Sequence, residues 1–260
     1  MNITIIGAGN VATVLGHKIL SAGHRILQVY SRHAEHAARL AGQLQADPIS
    51  SPGQIDERTE IILIAVSDNA YAPVVQQLPF TNALMVHTAG SVPMNILKPA
   101  GPRYGVLYPL QSLRPESAIP IDFPLLIDGV NPEVLNEVKN FADSLSKTVL
   151  GADDKLRLKY HLAAIFANNF TNHLLALTEA WCRSEGLSFQ LLQPLILETA
   201  TRLSYAAPEQ LQTGPAVRND TQTLKKHRRL LKSYPRMLRF YDRFTRSIKR
   251  FYAKRGRHDA

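Results

Sequence analysis

The stretch Ile3-Thr4-Ile5-Ile6-Gly7-Ala8-Gly9-Asn10-Val11-Ala12 puts a Gly-x-Gly-x-x-Ala turn directly after an apolar strand and directly before a helical pattern. In that setting each small residue has a task. Gly7 permits the tight turn, Gly9 lets the backbone approach a pyrophosphate, and Ala12 lets the helix pack close on the strand. The phosphates then sit on the free N–H groups around Asn10 and Val11, at the positive end of a helix expected over residues 11–21. Ala22-Gly23-His24 ends that helix and a second apolar run follows at 26–30. A bare glycine motif also fits a turn that merely joins strand to helix, so the strand–turn–helix context carries the dinucleotide reading.

The second run ends in Tyr30-Ser31-Arg32, where a fold selective for NAD usually carries an acid to hold the ribose 2′-hydroxyl. Ser31 and Arg32 offer a hydroxyl and a guanidinium instead, which favours the 2′-phosphate of NADP. The competing account makes Arg32 a solvated residue at the start of the next helix.

Working outward, the Ala-rich stretch 33–44 reads as a helix and the continuous apolar run 61–66 as a strand buried on both faces of a parallel sheet. Ligands in open α/β sheets bind beyond the carboxyl ends of strands, so Val66, Ser67 and Asp68 are expected to border the cofactor. A helix over 71–78 and a strand over 83–87 come next, ending in Thr88-Ala89-Gly90-Ser91, a second cofactor-facing edge at Thr88 and Gly90. Strands at 104–107, 124–127 and 148–150 with a helix at 132–145 complete an alternation that predicts a doubly wound parallel sheet over residues 1–152. From 153 to 260 apolar residues fall at helical spacing, which predicts an all-helical domain. Its first helix, over 156–183, has an apolar face of Leu162, Ile165, Phe166, Phe170, Leu174 and Leu177. Ser188 is expected to cap the next helix, running to about residue 205, and further helices are expected over 221–231 and 236–251.

One cysteine, Cys182, excludes an internal disulfide framework and any cysteine-cluster metal site, and its helical context suits a buried, inert thiol. No metal site is expected. With no leader-like N-terminus and no apolar run of spanning length, a cytoplasmic setting is expected. The net charge of +9 is concentrated, because residues 225–260 carry fourteen Lys or Arg against two acids, which leaves about −3 on the rest. In that tail Met237, Phe240, Tyr241, Phe244, Ile248, Phe251 and Tyr252 form one apolar side of a basic helix. Packing on its own domain or a partner subunit explains such a helix, and so does contact with nucleic acid or an anionic membrane.

Chemistry concentrates in three places. At 100° per residue His161, Asn168 and Asn172 share one stripe of the first long helix, with Asn169 beside it. An imidazole can move a proton and carboxamides can orient a carbonyl or a nicotinamide amide, although Asn and His on a long helix also serve interfaces. Tyr108 and Gln111, in Tyr108-Pro109-Leu110-Gln111, follow a predicted strand on the cofactor side, where they touch substrate or simply shape a loop. In Gly214-Pro215-Ala216-Val217-Arg218-Asn219-Asp220, Asp220 is placed to cap a helix and Arg218 to pair with it or to hold an anionic substrate.

These segments, GAGNVA at 7–12, AVSD at 65–68, HTAGS at 87–91, YPLQSL at 108–113, KYHLAAIFANNF at 159–170 and GPAVRND at 214–220, give the chain a resemblance to an uncharacterised group of two-domain NADP oxidoreductases. The group pairs a Rossmann-like NADP-binding domain with a helical C-terminal domain. More distantly the layout is similar to pyrroline-5-carboxylate reductase, ketopantoate reductase and the β-hydroxyacid dehydrogenases. That resemblance implies NADPH-dependent reduction of a small C=O or C=N substrate at a cleft between the domains. It also implies dimerisation through the helical domain, a homodimer that the uncovered apolar length of helix 156–183 independently suggests. One departure matters. The dehydrogenases carry a Lys four residues before an Asn on this helix, and here those positions are Ala164 and Ile165. Their reaction therefore does not transfer, and His161, with Asn168 and Asn169 as orienting groups, becomes the expected catalytic set, Lys159 lying nearby. A protein that binds NADP and signals without turnover remains the alternative to an enzyme.

Overall fold

The computed structural model describes residues 1–115 and 122–253. It divides into two compact units, Met1–Phe170 and Thr171–Ala260. Residues 254–260, the end of the basic tail, lie outside the described residues.

Parallel strands β1 (Asn2–Ile6), β2 (Arg25–Tyr30), β3 (Asp47–Ile49), β4 (Ile61–Ile64), β5 (Leu84–His87) and β6 (Tyr104–Pro109) join β7 (Leu125–Gly129) and β8 (Val149–Gly151) in one sheet of order β3-β2-β1-β4-β5-β6-β7-β8. The strand order reverses at β1, the switch point where open α/β sheets bind ligands. Helices α1 (Asn10–Ser21), α2 (Ala34–Leu44) and α4 (Pro132–Leu145) cover one face, and the short α3 (Tyr71–Val75) with a 3-10 segment at Met94–Ala100 covers the other. β4 shows why its sequence is apolar throughout. Ile61 and Leu63 point into the first layer and Ile62 and Ile64 into the second, all at most 3% exposed.

The sheet departs from the all-parallel expectation at one junction. β7 pairs antiparallel with β6 through Gly105–Gly129 to Pro109–Leu125, and β8 runs parallel to β7. The segment between β6 and β7 carries Pro115, Pro120 and Pro124, which disfavour the crossover helix that a parallel return needs. β3, which periodicity did not reveal, is an edge strand whose Pro48 costs no central ladder bond.

Helix α5 (Asp154–Ala164) is followed directly by a π-helical turn at Ile165–Phe170 and by α6 (Thr171–Ser184). The unbroken α-helix expected over 156–183 is therefore corrected. A π turn advances fewer degrees per residue than an α turn, so the shared stripe computed for His161 and Asn168 does not hold. Nor is the apolar face covered, since Leu162 and Phe170 are 57% and 49% exposed.

In the second unit Ser188 makes no side-chain cap bond, and a 3-10 segment (Phe189–Leu192) precedes α7 (Gln193–Arg202). Asp220 does cap α8 (Thr221–Leu230), its carboxylate accepting from Thr223 N–H at 3.0 Å, and this bond holds its pKa below the usual range. The last helix, α9 (Pro235–Ala253), is tied to its own unit through Tyr241 to His227 at 2.9 Å and Asp242 to Arg228 at 3.1 Å. Phe240, Phe244 and Phe251 on another side of it stay 39–54% exposed. Cys182 is buried. Among the described residues no helix is long and apolar enough to cross a membrane.

Candidate functional site

The carboxyl edge of the parallel strands gathers the candidate residues of the first unit. After β1, Gly7 has φ +118° and its N–H donates to Tyr30 C=O at 2.7 Å. A Cβ there would stand 2.1 Å from Ala65 C=O, so this position accepts only glycine. Gly9 is different. It is the N-cap of α1 with φ −88° and ψ −173°, ordinary extended backbone, and a Cβ on it would meet nothing within 4 Å. No side chain caps α1 and no acid occupies its first turn, so the amides around Asn10 and Val11 keep their donors for an anion. These features fit a pyrophosphate. After β2, Ser31 Oγ accepts from His33 N–H at 3.3 Å and Arg32 is exposed, with no acid between them and the strand.

Past β4, Val66 is half-buried and Ser67 exposed at the N-cap of a 3-10 turn, Asp68–Ala70. The loop after β5 is tied down from several sides. Thr88 is buried, its Oγ1 turned onto Ile64 C=O at 3.4 Å, and Ser91 Oγ donates to the Asp68 carboxylate, which joins the loops after β4 and β5. Gly90 abuts His161, because a Cβ at Gly90 would fall 2.6 Å from His161 Nδ1 and 2.8 Å from Cγ. The imidazole fills the space that a side chain on the loop would need.

His161 comes from α5 and Tyr108 from β6, and the structure brings them together at 3.0 Å between Tyr108 Oη and His161 Nδ1. Their rings meet edge to face with centroids 6.0 Å apart. Tyr108 is 9% exposed and burial raises the pKa of its phenol, so it stays a neutral hydroxyl able to donate or accept. Asn168 and Asn169 sit exposed on the π turn. Gln111 is exposed and accepts from Ser112 N–H at 2.8 Å, a local loop bond. Arg218 is exposed in the second unit, in the turn that Gly214, at φ +107°, opens. Among the described residues no group of three or more His, Cys, Asp or Glu is arranged to hold a metal.

Two buried groups escaped the sequence reading. His87, fully buried at the end of β5, accepts at Nδ1 from Ala89 N–H at 3.2 Å, which places its proton on Nε2. Burial first, and the Arg157 guanidinium second, push its pKa from 6.5 down to about 4. The neutral ring is thus what the fold holds. Stability from this group is fully present above pH 6.5 and is lost as the pH falls toward 4, approaching roughly 3 kcal/mol. Urea unfolding from pH 7 to 4 is expected to show that loss and His87→Gln to flatten it; an unchanged slope in the variant would assign the acid sensitivity elsewhere. The other group is Arg157 itself, 1% exposed on α5. Arginine on a helix reads as surface, and only the observed i, i+4 relation to His161 marks it.

Comparison with known proteins bears on the family and the fold. Residues 2–89 match the family described as NADP oxidoreductase coenzyme F420-dependent, and residues 123–248 match a domain of unknown function, DUF2520. Among curated proteins no significant match is found. Among solved structures, a putative NADP oxidoreductase from Bacteroides fragilis is 37% identical, with a TM-score of 0.88 over 96% of this chain and 98% of that one. A 1-pyrroline-5-carboxylate reductase from Streptococcus pyogenes shares the fold at 14% identity and a TM-score of 0.64, over 96% and 98% of the two chains. So does an imine reductase from Myxococcus stipitatus in complex with NADP+, at 17% identity and a TM-score of 0.62, over 98% and 95%. The chain belongs to the family of the putative NADP oxidoreductase from Bacteroides fragilis, and in it the segment matching the NADP oxidoreductase family precedes the DUF2520 domain.

Proposed function

We propose that this chain binds NADP(H) along the carboxyl edge of β1, β2, β4 and β5 and interconverts a small anionic carbonyl or imine with its reduced product. The observation that carries the reading is the pair of glycines at the bare amino end of α1: a Cβ at Gly7 would strike Ala65 C=O, while at Gly9, the N-cap, neither the backbone angles nor any atom within 4 Å calls for glycine. In this reading Ser31 and Arg32 receive the 2′-phosphate. Val66, Ser67, Thr88 and Gly90 border the rest of the dinucleotide. The M. stipitatus relative is described in complex with NADP+, which supports the choice of cofactor.

The cofactor, when bound, supplies or accepts hydride. His161 serves the proton. With Nδ1 engaged by Tyr108, its Nε2 is the nitrogen available to a substrate. A protonated ring donates Nδ1–H to the Tyr108 oxygen and delivers the Nε2 proton to the substrate oxygen or nitrogen; the Nδ1–H bond persists afterwards, so the ring does not turn. Asn168 and Asn169 supply paired amide contacts that orient the substrate or the nicotinamide amide. Tyr108 and Gln111, both in the first unit, complete the substrate contacts, and the anionic character of the substrate is carried over from the sequence motif around Arg218.

Calorimetry tests the cofactor assignment. NADPH is expected to bind at least about tenfold more tightly than NADH, and Arg32→Ala to erase most of that difference, as loss of a charge-assisted phosphate contact would. Equal affinities in the wild type would remove the basis for the preference.

The same reading includes a homodimer through the helical unit. Within that unit α7 buries no residue at all, and Leu191, just before it, and Leu195, four residues on, are 80% and 64% exposed. Apolar exposure of that kind along a helix marks an interaction surface, and a second copy is the simplest occupant. Light scattering at micromolar concentration is expected to report twice the chain mass; a monomer would contradict it.

A further inference from the structure

We propose that Asp154 and Arg157 form a latch on the loop after β5, and that Arg157 is thereby a positioning residue for the nicotinamide end of the cofactor site; this rests on the cofactor reading above. The Arg157 side chain donates from Nε to Ala89 C=O at 3.1 Å and from Nη2 to Val92 C=O at 2.6 Å. Its Nη2 also meets Asp154 at 2.7 Å. Asp154 in turn accepts from Met94 N–H at 3.0 Å. One turn further on, His161 packs against Gly90. Residues 154, 157 and 161 follow at i, i+3 and i+7, so one face of α5 grips residues 89–94 at four points.

Stability alone is a poor account of this arrangement. A guanidinium taken fully out of water costs several kcal/mol, and here Nη1 has no hydrogen-bond partner among the described residues and the single carboxylate is about half exposed. An apolar side chain of similar volume would fill the space at lower cost. What the planar fork supplies instead is geometry, because it fixes two carbonyls three residues apart relative to one helix. The gripped loop stands two strands from the glycine turn, about 10 Å across the sheet. A dinucleotide extending from Gly9 over the strand ends reaches this loop with its nicotinamide half, whereas its adenosine half stays near β1 and β2.

That separation gives a test that general loosening of the fold does not mimic. NADPH and 2′-phospho-ADP-ribose, which shares its adenosine half and lacks nicotinamide, are titrated into the full chain as wild type, Arg157→Lys and Arg157→Met. Amide hydrogen exchange is measured on the same proteins without ligand. The latch predicts that Arg157→Met weakens NADPH by about tenfold or more while 2′-phospho-ADP-ribose changes by less than about twofold, with Arg157→Lys in between. It also predicts faster exchange at Ala89 and Met94, whose N–H groups are hydrogen-bonded in the gripped loop, with β1 and β4 unchanged. Equal weakening of both ligands, or unchanged NADPH affinity, overturns the positioning role. If Arg157→Met does not fold, Asp154→Ala removes the grip on Met94 from an exposed position, and the same pattern is expected at smaller amplitude. Should the wild type bind neither ligand, the cofactor reading fails on its own account. The exchange data then still decide the latch, and unchanged protection of the loop overturns it.

Discussion

Gly9→Val is expected to abolish NADPH binding in a protein that melts almost where the wild type does, while Gly7→Ala is expected to cripple folding. The two positions are two residues apart in one motif and differ in what holds them. At Gly7 a methyl group would enter a left-handed backbone region and collide with Ala65 C=O at 2.1 Å, an atom fixed by the sheet. Strain of 1–3 kcal/mol adds to a backbone clash that nothing flexible can relieve, so a loss above about 3 kcal/mol is expected by urea unfolding. Gly9 pays neither penalty, since its φ of −88° suits any residue and its Cβ direction is open. Exchanging glycine for a poorer N-cap costs less than about 1 kcal/mol. A valine there does occupy the approach to the amino end of α1, and a loss of at least about a hundredfold in affinity, some 2.7 kcal/mol, is expected. Gly9→Val binding NADPH as well as wild type would mean that this turn is a connector and the phosphates lie elsewhere.

The difference between those glycines also shows how far a sequence can be read. Both occupy motif positions, and the motif with its flanking strand and helix sufficed for the sheet, because buried parallel strands such as β4 leave continuous apolar runs. The reversal at β7 left no such trace, since strand direction depends on what connects two strands and not on the strands themselves. Local periodicity likewise located His161 and the asparagines on a helix but assumed α geometry through Ile165–Phe170. Nothing in IFANNF announces a π turn, and because the turn buries none of its residues no apolar pattern marks it either. The contact of Tyr108 with His161 spans 53 residues, and the grip of Arg157 on Ala89 spans 68. Pairings of that kind follow from where the sheet edge and α5 meet, which residue types alone do not specify. Arg157 is the sharpest case, because a buried guanidinium and a solvated one are written with the same letter.

Replacing His161 by Ala is expected to lower turnover by on the order of a hundredfold or more, with NADPH affinity changed by less than about threefold. The measurement is loss of NADPH absorbance against a panel of cyclic imines and keto acids, with binding followed separately. The expectation follows from division of labour at the site. On the proposed reading the glycine turn and the strand ends hold the dinucleotide, whereas the imidazole meets the loop at the bare face of Gly90. Removing it leaves the cofactor in place and the substrate heteroatom without its proton source. Tyr108→Phe is expected to be milder, about tenfold in turnover at unchanged NADPH affinity, since the ring keeps its position against Gly90 but loses the acceptor that holds Nδ1–H. Gly90→Ala should resemble His161→Ala in turnover, because its methyl would displace the ring from 2.6 Å away while the ring itself remains chemically intact. That third variant separates position from chemistry. If His161→Ala turns over at the wild-type rate, the proton comes from elsewhere, and orientation by Asn168 and Asn169 is what the π turn contributes.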